Sequence, residues 1–392
     1  MALIPHPETL IDSAATAWDH YLGPGVADLT PTPSSIVHES PQCTVRRFRT
    51  RRRARGDLAP VLLVPPLAAP ASCFDLRHGC SLAEHLTELG YATYLVDYGP
   101  ISFEDRALGL EHWVDDVLPT AIGVARGDAG GTPVQVLGWC LGGILALLTV
   151  AGDDELPVAS VALVGSPFDF DRVRLGAPLR QLGRLTGGAL GTLLYRTLGG
   201  APAPLVSRGF QITSLDRYLT KPLWILRNLG DRAAIAHSEA IDAYMANMLA
   251  YPGRTFGQLY HRFFLVNELA GGTIELAAGR TIDLAAVRQP VLAVAGESDV
   301  LAPAAAVEAV VGLLPNAESV RFALAPGSHL GVLTGSTAAD TTWRHLDGFL
   351  ATAAGPRRAR RDPGGSSTGA AGDRPAGASR AGRGSSWAGR TG

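Results

Sequence analysis

Three side chains in this sequence have the types and surroundings for nucleophilic acyl chemistry: Cys140, Asp299 and His329. Cys140 stands in Gly138-Trp139-Cys140-Leu141-Gly142-Gly143, after Val134-Gln135-Val136-Leu137 and before Ile144-Leu145-Ala146-Leu147-Leu148. A β-branched run, a glycine-rich turn and an apolar helix-forming run are the context of a nucleophile elbow. So tight a turn leaves no room for side chains two positions before and after the nucleophile, which accounts for Gly138 and Gly142, with Gly143 next. The turn lifts the cysteine above the sheet at the positive end of the next helix. There the helix dipole favours a thiolate, and the Leu141 N–H can face a developing oxyanion.

A cysteine nucleophile needs a base, and the base needs an orienting carboxylate. In elbow enzymes these follow the nucleophile in the order acid, then histidine. Asp299 follows the apolar run Val291–Ala295 through Gly296-Glu297-Ser298, at a strand's carboxyl end, where ligand sites form. His329 follows the last strand-like run through Ala325-Pro326-Gly327-Ser328, in the matching loop. Asp169 or Asp171 is the fallback acid. The second oxyanion N–H is expected after the Val61–Val64 run; Pro65 and Pro66 have none, leaving Leu67 or Ala68.

The elements that must position these residues alternate regularly. Apolar runs at 61–64, 91–96, 134–137, 158–164, 290–296 and 319–324 are separated by helical stretches at 81–89, 110–123, 144–151 and 304–314, with a closing helix at 341–350. Strands alternating with helices predict a parallel sheet covered on both faces. Residues 1–40 form an N-terminal helical and extended segment, with an amphipathic helix at 8–22. Residues 41–166 form the first part of the core and 289–354 the second. The arginine-rich 43–55 stretch reads as an edge hairpin with a solvated face. Residues 167–288 lack clear strands and read as a cap insertion, with helices at 179–198, 235–248 and 256–269; the amphipathic 182–198 piece is expected to pack on the sheet domain. Residues 355–392 have almost no apolar content and are expected to be disordered.

The formal net charge of −2 divides into +6 after residue 354 and −8 before it, so nucleic acid is not the expected partner. Four cysteines without small-scaffold spacing suit a reduced cytoplasm. No secretory leader and no apolar run long enough for a transmembrane segment are evident. Cys73-x4-His78-x-Cys80-x4-His85 matches no common zinc spacing, and no dinucleotide or phosphate loop is present, so neither metal nor cofactor is expected.

At these residues the chain resembles the polyhydroxyalkanoate synthases, relatives of the α/β-hydrolases, from about residue 60 to 350. The resemblance rests on Val64-Pro65-Pro66, Phe74-Asp75-Leu76, the cysteine box, Phe263-Phe264-Leu265-Val266-Asn267-Glu268-Leu269, Gly279-Arg280-Thr281-Ile282-Asp283-Leu284, Gly296-Glu297-Ser298-Asp299 and Ser328-His329-Leu330-Gly331. It implies an α/β-hydrolase fold with a helical cap. It also implies an acyltransferase that polymerises 3-hydroxyacyl-CoA, with release of CoA, through an acyl-Cys140 intermediate. The chain is most similar to the short catalytic subunits, whose partners are a second synthase subunit or a second copy, and the polyester granule. Val300 replaces the family's usual histidine after the acid, and Ser328 a glycine before the base. A cysteine thioesterase, esterase or acyltransferase with the same triad, and a catalytically silent granule- or partner-binding protein, are the alternative readings.

Overall fold

The computed structural model describes residues 7–49, 54–212 and 215–353. Arg51–Arg53 of the basic stretch and the 355–392 tail lie outside the described residues.

Eight strands form the central sheet: β1 Ser34–Ser40, β2 Cys43–Phe48, β3 Val61–Val64, β4 Thr93–Asp97, β5 Val134–Trp139, β6 Val158–Val164, β7 Val291–Gly296 and β8 Val320–Ala325. Their order is β1-β2-β4-β3-β5-β6-β7-β8, antiparallel across β1-β2-β4 and parallel from β4 onward. Every residue of β3, β5 and β7 is buried, which is why these strands are apolar but for Gln135, whose Oε1 accepts from Ser160 Oγ at 3.1 Å. Helices cover both faces, with one apolar core against each, and the result is the expected α/β-hydrolase fold. Among the described residues no helix is long and apolar enough to cross a membrane.

The arginine-rich stretch does enter an edge hairpin, but the hairpin turns at Gln42 and takes its first strand, β1, from the segment expected to lie outside the sheet. Arg47 reaches Asp128 at 2.8 Å and lies over the Tyr94 ring. The helix expected over 110–123 runs on to Asp128, with a wider π turn at His112–Val117.

The chain passes from β3 to β4 on one side and then returns past β3 to β5. That reversal opens a crevice at the strands' carboxyl ends. The loop after β3 and the turn after β5 both lie there, because Val64 pairs with Gly138 at the ends of these strands.

The segment between β6 and β7 differs most from expectation. The single helix predicted over 179–198 is two, Ala177–Leu185 and Ala189–Leu198, parted where Gly187 and Gly188 take φ of 59° and 79°. They do not lie on the sheet. A Cβ added at Gly183 would meet Leu265 at 2.5 Å, and one at Gly191 would meet the Tyr260 ring at 2.6 Å, so their small-residue face packs on the helical stretch 253–265. Leu185 and Leu193 are left exposed. Two further helices, Ala203–Ile212 and Leu215–Asn228, and a hairpin, Thr273–Ala277 with Arg280–Asp283, also lie in this segment.

Candidate active site

Cys140 joins β5 to the helix Leu141–Gly152. Its backbone has φ 55° and ψ −125°, a left-handed conformation that costs a non-glycine residue of order 1–3 kcal/mol. The turn is held on both sides: Cys140 N–H donates to Val164 O at 2.9 Å, and Gly143 and Ile144 N–H donate to Cys140 O. A Cβ at Gly138 would lie 2.4 Å from Gly143 Cα, one at Gly143 would lie 2.1 Å from Ser166 Oγ, and one at Gly142 would lie 2.2 Å from Val64 O. The obstacle at Gly142 is backbone on a buried strand and cannot swing aside. Gly142→Ala is therefore expected to destabilise the protein by about 3 kcal/mol or more. Chemical denaturation reads this directly, and a loss below about 1 kcal/mol would contradict the packing described.

His329 Nδ1 lies 2.8 Å from Asp299 Oδ2. The other carboxylate oxygen accepts N–H bonds from Leu301 at 2.9 Å and Ala302 at 2.8 Å, so Asp299 is fixed from both sides and its side chain is wholly buried. With Nδ1 held by Asp299, the buried Nε2 is the ring atom left to face Cys140. Burial alone would lower the imidazole pKa, but the charges of Cys140 and Asp299 and hydrogen bonding to them outweigh it, and the value rises to about 10.

The backbone around the pair is equally constrained. Gly165 takes φ 56°, and a Cβ there would stand 3.6 Å from both Asp299 Oδ2 and His329 Cε1. The Trp139 indole N–H donates to His329 O at 3.1 Å, with the two rings 5.1 Å apart. Trp139 thus ties the elbow to the histidine loop, a role that the sequence analysis did not find.

Leu67 and Ala68 lie buried in the loop after β3. Ala68 has φ 60°, its carbonyl accepts from Leu249 N–H at 3.0 Å, and the loop's Pro65 carbonyl accepts from Tyr98 Oη at 3.1 Å. The fallback acids are engaged elsewhere. Asp169 accepts from Asn267, Arg172 and the Asp171 N–H, and Asp171 pairs with Arg180 and Arg184. Asn267, at φ 63°, also accepts from Phe170 N–H at 2.8 Å, clamping the loop after β6 to the insertion. Among the described residues no group of three or more His, Cys, Asp or Glu side chains could hold a metal. His85 turns instead to Asp347 and Cys80 to Thr334 O.

Cys140 and His329 open into one cavity of about 620 Å³. Its walls are chiefly apolar: Phe170, Leu182, Phe256, Tyr260, Phe263 and Phe264. The residues from Leu259 to Leu265 form a π turn, a widening frequent at functional sites. The arrangement combines a strained cysteine at a helix N-terminus, an imidazole with a buried carboxylate behind it, and a chiefly apolar, aromatic-walled chamber. Such a site suits covalent transfer of an apolar acyl group.

No family model matches the chain. Six curated relatives do, and all are named poly(3-hydroxyalkanoate) polymerase subunit PhaC. The protein from Haloferax mediterranei is 23% identical over 353 residues, covering 87% of this chain and 68% of the relative. The chain is a relative of the polyhydroxyalkanoate polymerases. The Synechocystis polymerase subunit is 25% identical, with 77% and 79% covered, and that of Cupriavidus necator is 27% identical, with 69% and 46% covered. Against the polymerases' usual pattern, Val300 is exposed beside Asp299, and Ser328 contributes its carbonyl to Val332 N–H at 2.7 Å. Neither substitution touches the His329–Asp299 bond. Among solved structures, BpoC of Mycobacterium tuberculosis superposes with TM-score 0.48 at 16% identity over 81% of this chain and 98% of that one. An esterase, RhEst1 of Rhodococcus, gives 0.43 at 14% identity over 82% and 99%. Nothing about activity follows from likeness at that level.

Proposed function

We propose that this protein is a polyhydroxyalkanoate synthase-like acyltransferase that joins 3-hydroxyacyl groups from CoA thioesters into polyester. The observation that carries the reading is a cysteine, not a serine, at the elbow of a chain whose curated relatives are all polyester polymerases.

His329 Nε2 takes the Cys140 proton, and Asp299 at Nδ1 stabilises the imidazolium. The thiolate attacks the thioester carbonyl, and the N–H of Leu141 with that of Leu67 or Ala68 receives the oxyanion. CoA leaves with the proton, and one thioester has replaced another, an exchange that is close to thermoneutral. The 3-hydroxyl of a second acyl group or of the growing chain then gives its proton to His329 and attacks the acyl-cysteine, forming an ester and freeing Cys140. Water in place of that hydroxyl would release the free acid, so the aromatic walls and the helices of 177–265 act as the barrier that favours chain growth.

The test is thiol release from 3-hydroxybutyryl-CoA with the acyl product sized afterwards. High-mass polyester is expected. Release of 3-hydroxybutyrate alone would overturn the polymerase reading in favour of a thioesterase.

A further inference from the structure

A second cavity, of about 470 Å³, serves no step described so far. Its lining draws Arg106, Arg196, and the pair Arg254 and Arg262 from three segments, together with His261 and Gln258, and includes no carboxylate. Two of the arginines are balanced from outside it: Arg254 by Glu111 at 2.6 Å, and Arg262 by Glu268 at 3.2 Å and Glu275 at 3.7 Å. Arg106 and Arg196 carry no ion pair among the described residues; the Arg106 guanidinium bonds Phe103 O and lies 4.5 Å over that ring. His261 is held below the ordinary histidine value by burial and then by the Arg196 charge, and its Nε2 is 2.8 Å from Thr192 Oγ1. The cavity is thus a cationic recess with hydrogen-bond donors converging from several elements, chemistry that suits phosphate oxygens.

The two cavities share walls. Along Ala189–Leu198 and the 253–265 stretch, Gly191, Leu259 and Tyr260 face the Cys140 chamber, while Arg196, His261 and Arg262 face the arginine recess. A helix with its side chains is about 10–12 Å across. An extended pantetheine arm is about as long as four extended residues, ~14 Å. A carrier with its thioester at Cys140 would put its phosphates among the arginines by passing round this shared wall.

We propose that this recess binds the phosphate-bearing nucleotide end of the acyl-CoA carrier, an inference that rests on the acyltransferase reading. The test pairs binding with kinetics on the wild type and on the double variant Arg106→Gln/Arg196→Gln. Both side chains are exposed, so the fold is expected to survive. Calorimetry with adenosine 3′,5′-bisphosphate should show binding to the wild type that weakens about tenfold or more in the variant. The KM for 3-hydroxybutyryl-CoA should rise by a similar factor at constant kcat. Turnover of 3-hydroxybutyryl-N-acetylcysteamine, which has no phosphate, should not change. Equal slowing on both thioesters, or bisphosphate binding that the substitutions leave intact, would overturn the proposal. So would binding of phosphatidylglycerol vesicles without binding of the bisphosphate, which would assign the recess to lipid headgroups. Calorimetry needs no turnover: absence of thiol release from either thioester would sink the acyltransferase reading, and the phosphate site would still be decided by bisphosphate binding.

Discussion

Cys140→Ala is expected to lower thiol release from 3-hydroxybutyryl-CoA by about 10⁴-fold or more while the protein stays folded. The loss should be that large because the remaining parts of the site can only polarise the thioester; none can form the covalent intermediate. A companion variant separates chemistry from architecture. Cys140 holds φ 55° and ψ −125°, which glycine adopts freely and alanine does not. Cys140→Gly should thus be as inactive as the alanine variant yet more stable than it, by about 1 kcal/mol in chemical denaturation. Substantial activity in either variant would remove Cys140 from the mechanism. Equal stability of the two would mean that the turn carries no strain.

The second large effect is expected at the carboxylate. Asp299 accepts from His329 and from two backbone N–H groups, and Asn in its place keeps the size but offers the ring the wrong partner. Asp299→Asn should reduce kcat about 10³- to 10⁴-fold with little change in KM. The same pair sets a pH dependence of stability. His329 is raised to about 10 in the folded protein, above its unfolded value of about 6.5. Between those values the folded state holds a proton that the unfolded chain has lost, so stability falls as pH rises through the window and is fully present only below it. The wild type should therefore lose stability from about pH 6.5 to about 10. Cys140→Ala, which removes the largest influence raising the pKa, should narrow the window, and His329→Gln should abolish it. An unchanged slope in His329→Gln would show that another group titrates.

The sheet and the elbow were legible because their physics is local. Strands buried on both faces are almost wholly apolar, Gln135 being the exception in β5, and a turn as tight as that at Cys140 admits only glycine two positions before and after the nucleophile. Asp299 and His329 were legible by position, each just beyond a strand's carboxyl end. The segment between β6 and β7 was not, because its helices bury against one another. Leu182, half exposed, still lines the reaction chamber, and the 215–228 helix contains Pro222, which argues against helix in any local reading. The 273–283 hairpin did leave a trace: buried Ile274, Leu276 and Ile282 alternate with exposed residues around Gly279 at φ 78°. The roles of Trp139 and Asn267 depend on partners 190 and about 100 positions away, and no local pattern announces such bonds.

The most direct test of the central claim is to mix the protein with 3-hydroxybutyryl-CoA at low molar ratio, quench in acid within the first turnover and map the chain by mass spectrometry. The peptide containing Cys140 should gain the mass of a 3-hydroxybutyryl group or of a short oligomer of it. Thiol release that proceeds with Cys140 unmodified throughout would contradict the account.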